Sequence, residues 1–574
     1  HASLAPSEMC IRDRGKAATL RLVGQTLEVI LNKKETWLQV PVELVLDVSW
    51  KSPHLLISLL APKRHSEHAS RILTRDQWAQ RHANKHVASL SLFQFRAHTY
   101  DGSSWANTMM TKAYDRTPAR RRVLVICNPS SGKGHAKHVL EDVTKPIFQA
   151  ARFELDVVET TARGDAFRFC TTLDVSRYDI MAFVGGDGTL HEAINGLASR
   201  NDAVRALSIP LVPIPAGSGN GLYVSLHGAE IGFSAPVACL TAIKGVPYSH
   251  ELMAVTQPLD AFGSSGRWPY TLRKTTKDGR GYVQFYSFMS QAIGIMADID
   301  IGTEAWRFIG DIRFTLGYVF AVLRNKACPI HVDAYFGASG TASHASMYEC
   351  ARQTPVRVLQ RNGQLQHSSA ILHHEQMQPH THVDTTKDLP SDVHRLRFGT
   401  VLDELPMSPT PFDATSASHP PSDVWTRIHT AVSTVYTGKV PYVARSLLAF
   451  PYTCPDDGLF DVLLQEQRSS AMKKIMATTR GETGDHIFDH GMDYFKVEAL
   501  RITPYENAMK KNPRHYISID GESVPYAPFQ VEVSPLHVSL LTLSDDEWLA
   551  PSIRARTIDS HASRYASTAT SPDS

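Results

Sequence analysis

The 574 residues carry 59 Lys and Arg against 57 Asp and Glu, a formal net charge of +2, with 43% hydrophobic and 20% charged residues. That length implies roughly two to four domains with ample core, and the near-neutral balance excludes a global field for nucleic acid, so any basic patch must be local. Cys10, Cys127, Cys170, Cys239, Cys328, Cys350 and Cys454 are scattered without CxxC or other metal spacing, which argues for a reducing compartment and against a disulfide framework or zinc site.

No apolar run approaches the ~20 residues that span a bilayer; Leu316 to Leu323 is the strongest candidate and is too short. The chain opens on His1 without a methionine, so the natural start, and any targeting signal with it, is expected to be missing. Residues 1–115 hold short alternating runs, including Thr26 to Leu31, Trp37 to Val48, His54 to Leu60 and Ser89 to Phe95, split by polar turns such as Asn32-Lys33-Lys34-Glu35. These predict a β-rich N-terminal module, in the manner of a pleckstrin-homology barrel, with a membrane, regulatory or purely structural role.

Arg120-Arg121-Arg122 leads into Val123 to Cys127. The triplet reads as a solvated strand entry, with an anionic-membrane contact as the second reading. The apolar run is a buried strand, followed at once by Asn128-Pro129-Ser130-Ser131-Gly132-Lys133-Gly134 and by Val139, Val143 and Ile147 at helical spacing, with a bend expected at Pro146. Strand, glycine loop and helix aim backbone N–H groups at phosphate, although a tight turn alone would look the same. It is not a Walker A loop, because Gly134 follows Lys133 where that motif needs Ser or Thr. Phe153 to Val158 forms the next strand and ends in Thr160-Thr161-Ala162-Arg163-Gly164.

Ile180 to Val184 is almost wholly apolar, a strand buried on both faces. Gly185-Gly186-Asp187-Gly188-Thr189 follows, with Leu190, Ile194 and Leu197 at helical spacing behind it. Asp187 is thereby offered at the carboxyl end of a buried strand and at the positive end of a helix; simple helix capping is the alternative. Leu211 to Pro215 leads into Ala216-Gly217-Ser218-Gly219-Asn220-Gly221. The β-α-β-α rhythm of residues 116–250 implies an α/β domain with a parallel sheet, and three glycine loops on one edge describe a phosphate-binding rim.

From residue 251 to 545 the texture predicts a mostly antiparallel β-sandwich domain. Strands are expected at 281–290, 438–443, 461–464, 496–502, 516–519 and 529–533, with an amphipathic helix near Trp306 to Val319. Residues 335–425, rich in Ser, Thr, His, Pro and Gln, form a low-complexity insertion expected to be partly disordered. Its run from His373-His374 to His382 lacks defined metal spacing. The tail 546–574 is expected to be disordered.

Together, Asn128 to Gly134, Gly185 to Thr189, Gly217-Ser218-Gly219-Asn220 and Asp520-Gly521-Glu522 resemble the diacylglycerol kinase catalytic-domain superfamily. Within it, Ala297-Asp298-Ile299-Asp300, Glu304, Arg307, Gly310, Arg313-Phe314, Leu316-Gly317 and Pro455 to Asp461 are similar to sphingosine kinases. Gly185 stands where some sphingosine kinases carry serine, and Gly221 where alanine is usual. The likeness runs over about residues 120–330 and 430–540, leaving out the N-terminal module and the insertion.

The resemblance implies ATP and Mg²⁺ in a cleft between the α/β and β domains. It places Asn128, Pro129, Ser130, Thr160, Thr161, Ala162, Arg163, Gly164, Glu192, Gly217, Ser218, Gly219, Arg307, Arg313, Asp520, Gly521 and Glu522 on the nucleotide. Gly185, Gly186, Gly188 and Asp300 would meet the substrate, Asp300 through the sphingoid headgroup, and Asp187 would be the catalytic base. The expected enzyme is a cytoplasmic, peripherally membrane-associated lipid kinase making sphingosine 1-phosphate, with a homodimer left open and no nucleic-acid partner. A diacylglycerol or ceramide kinase, an NAD kinase-like enzyme and a non-catalytic lipid-binding scaffold are its rivals.

Overall fold

The structure is a computed structural model that describes residues 7–11, 16–31, 35–63, 70–80, 85–98, 102–217, 219–263, 271–303, 312–324, 328–353, 358–359, 365–366, 393–412, 421–428, 431–506, 515–543 and 561–562. At the N-terminus eight strands form one sheet in the order Val45–Lys51, His54–Pro62, Leu90–His98, Ser7–Ile11, Lys16–Val23, Thr26–Leu31, Glu35–Pro41 and Arg71–Ile72. Alternation in these runs puts Leu27, Val29, Leu38, Val40, Leu55, Ile57 and Leu59 on the buried face. Helix Ser103–Ala113 covers strand Val45–Lys51 and buries Trp105 and Met109.

The arginine triplet is spent inside the molecule. Arg120 and Arg152 both reach the buried carboxylate of Asp47, at 3.3 and 2.7 Å. Arg121 donates to the carbonyls of Ala242 and Ile243 at 2.8 and 3.0 Å, and Arg122 pairs with Asp179. The two Asp47 bonds dock the N-terminal sheet on the α/β region.

Strands Glu154–Glu159, Arg122–Cys127, Ile180–Gly185 and Leu211–Pro215 pair in parallel as their apolar runs predict. The helical run after the first glycine loop comprises His135–His138, a π-helical Val139–Thr144 and Lys145–Ala150. Pro146 has no N–H to return to the preceding turn, and the helix widens just before it.

The sheet does not stop at residue 250. Strand Val246–Pro258 crosses that expected boundary and pairs with the 14-residue strand Phe529–Thr542. That strand also lies parallel to Leu211–Pro215 through Leu211 and Leu540. The α/β sheet therefore runs on into the antiparallel part, and the two regions share a 13-stranded sheet. Against it packs a six-stranded antiparallel sheet in the order Met492–Val497, Phe460–Glu466, Val432–Gly438, Ser290–Gly294, Ile517–Ile519 and Glu522–Val524. Met253, Val255, Phe285, Leu500 and Val531 from one layer meet Ile293, Val435, Val462, Phe495 and Ile519 from the other in one apolar core, a sandwich.

The ends of the insertion are ordered. Strand Ile330–Tyr335 pairs with Ala499–Pro504, helix His344–Gln353 buries Met347 and Tyr348, and Trp425 is 2% exposed. Its His373 to His382 run lies outside the described residues. In the tail, His561 is buried, its ring accepting or donating at Tyr452 Oη (2.9 Å) and Asp485 Oδ1 (3.1 Å).

Candidate active site

Three strand-end loops meet at one edge of the parallel sheet. Ser130 and Ser131 N–H groups donate to Asn128 Oδ1 and Asn128 O at 3.2 and 3.0 Å, closing the first loop with Pro129 inside it. Gly132 has φ +60°, and a Cβ there would lie 2.0 Å from the carbonyl oxygen of Ala216. Only glycine lets the first loop lie against the third. The third joins the second through Ala216 and Gly217 N–H groups, which donate to Gly185 O at 3.0 and 3.2 Å. Around Gly134, Gly219 and Gly521 a Cβ would meet no atom within 4 Å, so these glycines border open space.

Helix Asp187–Ala198 starts at Asp187, with Gly186 extended before it and Gly188 in its first turn. Gly221 N–H donates to Asp187 Oδ2 at 2.7 Å. The residue is only 8% exposed. Burial, with Asp520 and Asp300 adding repulsion, pushes its carboxyl up to about 6, although the Gly221 and Leu222 amides oppose the rise. Asp300 ends helix Ile295–Asp300, and Ser518 Oγ donates to its Oδ2.

Asp520 stands beside them but faces inward, contrary to its expected place on the nucleotide. Its carboxylate accepts from Ser287 Oγ (2.6 Å) and from the N–H groups of Phe288, Met289 and Ser290 (3.1, 3.0 and 2.8 Å), and it pairs with His191 Nδ1 at 2.8 Å. The His191 and Asp520 side chains are both fully buried. Asp520 is thus a clamp between helix Asp187–Ala198 and the sandwich, and the left-handed Asp520-Gly521 turn presents Glu522 outward. Asn195 extends the clamp, exchanging bonds with the Tyr286 backbone at 2.7 and 2.8 Å. His191 and Asn195 were not singled out from sequence. Their signal is the recurrence of polar residues at i+4 and i+8 from Asp187, on one helix face.

The loop Thr160 to Gly164 is closed by its own neighbours. One oxygen of Asp165 accepts from Thr161 N–H, Thr161 Oγ1 and Ala162 N–H, each at 2.7 Å, and holds that carboxyl well below the usual range. Thr160 N–H goes to Cys127 O at 2.8 Å, and Glu192 accepts from Gly164 N–H at 2.9 Å. These amides are occupied, so the loop offers a ligand side chains rather than N–H groups, Arg163 foremost. Arg163 pairs with Glu522 across the loops. Ser218 and Arg307 lie outside the described residues; Arg313 falls in helix Ile312–Arg324, with its side chain outside them.

What this arrangement can do is hold a polyanion at a glycine rim and take a proton beside it. Residues 122–255 match the model of the diacylglycerol kinase catalytic domain, a lipid kinase family. Over up to three quarters of its length the chain is similar to sphingoid base and sphingosine kinases. Sphingoid long chain base kinase 4 of Schizosaccharomyces pombe is 29% identical over 430 residues, 74% of this chain and 76% of its own. Sphingoid long chain base kinase 5 of Saccharomyces cerevisiae is 28% identical over 458 residues, 76% and 62% respectively. Sphingosine kinase 2 of Arabidopsis thaliana is 33% identical over 234 residues, 40% and 44%. The solved structure of a diacylglycerol kinase from Bacillus anthracis aligns over 76% of this chain and 100% of its own, at 16% identity and a TM-score of 0.36.

Proposed function

We propose that the chain is an ATP- and Mg²⁺-dependent kinase that phosphorylates the primary hydroxyl of sphingoid long-chain bases, giving sphingosine 1-phosphate from sphingosine. The observation that carries this reading is the Asp187 carboxyl, at a helix N-terminus where three glycine loops meet, which burial, helped by Asp520 and Asp300, raises to about 6. A base with that affinity is half-charged just below neutral pH and accepts a hydroxyl proton readily. As the substrate oxygen bonds to the γ-phosphorus of ATP and the bond to the β,γ-bridging oxygen breaks, releasing ADP, Asp187 takes the hydroxyl proton. The positive end of helix Asp187–Ala198 and the open rim at Gly134 and Gly219 favour the phosphate charge. Asp300 is suited to the substrate ammonium, an interaction that ceramide and diacylglycerol cannot make.

Among the described residues no group of three His, Cys, Asp or Glu ligand atoms converges at this rim. That fits Mg²⁺ carried by the triphosphate, which needs one or two carboxylates rather than a protein cage. No helix among the described residues is long and apolar enough to cross a membrane. Leu316, Phe320 and Leu323 on helix Ile312–Arg324, and Met472 and Met476 on helix Ala471–Arg480 packed beside it, are 42%, 53%, 65%, 67% and 57% exposed. Helix Ile312–Arg324 packs on the Asp300 helix. We place this apolar face against a bilayer, with the enzyme peripheral on its cytoplasmic side.

The test is transfer of radiolabelled γ-phosphate from ATP to sphingosine, ceramide, diacylglycerol and NAD, with Asp187→Ala as control. Label is expected in sphingosine and absent in the control. Label in ceramide or diacylglycerol alone removes the base assignment, and lipid binding without any transfer would make the protein a scaffold.

A further inference from the structure

Away from the catalytic rim, the base of the insertion meets the loop that follows strand Leu447–Leu448. Cys350 lies on helix His344–Gln353 and is exposed; Cys454 lies on the loop and is 1% exposed. Their sulfurs and a carboxylate oxygen of Asp457 lie within 4.8 Å of one another. Tyr348 and Tyr452, two residues before each cysteine, meet edge to face with ring centroids 6.2 Å apart, so the two elements are packed rather than grazing.

A thiol pair beside a carboxylate could take a soft cation or be oxidised. The surroundings decide between these. Asp457 Oδ1 is 2.8 Å from Lys439 Nζ and Asp457 Oδ2 is 2.9 Å from Lys496 Nζ, so both oxygens already serve buried ammonium groups. A cation would lose the third ligand and sit against two positive charges, whereas the same charges favour a thiolate. We infer that Cys350 and Cys454 form a peroxide-responsive dithiol that closes to a disulfide between the insertion and the sandwich.

The exposed sulfur reacts first. Cys350 is exposed and Cys454 buried, so a peroxide meets Cys350 first, while contact with Cys350 and burial push the Cys454 thiol well above its ordinary value. Cys350 sulfur attacks a hydroperoxide, the O–O bond breaks, and hydroxide or an alcohol leaves, giving the sulfenic acid. Cys454 sulfur then displaces the hydroxyl group from Cys350, forming S–S as S–O breaks, and its proton leaves in water. Two thiols lose two electrons and the peroxide gains them. In a reducing compartment such a bond is transient, which suits a sensor.

The experiment uses the full reduced chain, titrated with hydrogen peroxide, alkylated, digested and weighed. One cross-linked peptide pair joining Cys350 and Cys454 is expected, with two fewer alkylated thiols per chain. The thermal midpoint of the oxidised form should rise by several degrees, since the bond closes a loop of about 100 residues. Cys350→Ser, an exposed substitution that leaves the fold intact, should show neither change. Cys350 carried to sulfinic acid while Cys454 remains alkylatable would overturn the proposal. So would stoichiometric Zn²⁺ uptake by the reduced chain that blocks Cys350 alkylation and is lost in Cys350→Ser, because the cluster would then be a metal site.

Discussion

Two carboxylate clusters sit at similar depth in this molecule and are held in opposite states. In the sandwich, Lys439 bridges Glu251 and Asp457 at 2.6 and 2.8 Å, and Lys496 bridges Asp457 and Asp461 at 2.9 and 2.7 Å. Burial alone would raise Asp457, yet the two ammonium groups hold it down to about 2. At the loop rim, burial, with Asp520 and Asp300 adding repulsion, raises Asp187 to about 6. The residue type and the burial are shared; the neighbours differ. Asp457, matched by two cations, is fixed as an anion that welds strands together, whereas Asp461, matched by Lys496 alone, is still pushed up by burial. A carboxylate left among other carboxylates can gain and lose a proton near neutral pH, as a base must.

The largest effect that would test this contrast comes from Asp187→Asn. Phosphoryl transfer should fall by at least ~10³-fold while the fold persists, because the amide oxygen still accepts from Gly221. Asp187 has a folded value above its unfolded one, so its stabilising share is complete below about pH 4 and is lost as pH rises through about 6. The variant should therefore be more stable than the parent at pH 7.5, by at most ~3 kcal/mol, and equal to it at pH 4, read from urea melts at both pH values. In the parent, kcat should drop about tenfold per pH unit below 6. Lys439→Met should do the reverse: it takes the ammonium from Glu251, leaves Asp457 to Lys496 alone, and should cost ~3–5 kcal/mol at neutral pH, visible in the same melts. Asp300→Asn should lower kcat/KM for sphingosine by about 10²-fold, ~3 kcal/mol, with KM for ATP unchanged. An unaltered sphingosine rate would remove Asp300 from substrate recognition.

Much of the rim was legible because its chemistry is local. Apolar runs ending in Asn128, Gly185 and Ala216 each declare a buried strand and the loop after it, and the parallel pairing follows from their alternation with helices. The sharing of one sheet by both regions was not legible. Leu211 and Leu540 are more than 300 residues apart and pair because strand Phe529–Thr542 offers one edge to each region, which no local pattern encodes. The same distance explains Asp520. An Asp-Gly-Glu turn reads as a ligand loop, and only the fold brings Ser287, Phe288, Met289 and His191 around the carboxylate. The closure of the Thr161 and Ala162 amides lay nearer at hand, since Asp165 stands in the next turn as their acceptor.

Between the two clusters lies a third case, the Arg163–Glu522 pair, whose side chains are 51% and 25% exposed. Water screens it, so its share in stability is small, and Arg163→Ala should change the urea midpoint by less than ~0.5 kcal/mol. Its weight should fall on the nucleotide. If Arg163 leaves Glu522 for the triphosphate, Arg163→Ala raises KM for ATP by about three- to tenfold with kcat nearly constant, and added salt narrows the gap. Glu522→Gln gives the decisive sign. Removing the competing carboxylate leaves the guanidinium to the phosphates and should lower KM for ATP. A raised KM in that variant would mean that Glu522 itself holds the nucleotide or its cation, and that Arg163 serves only to aim it.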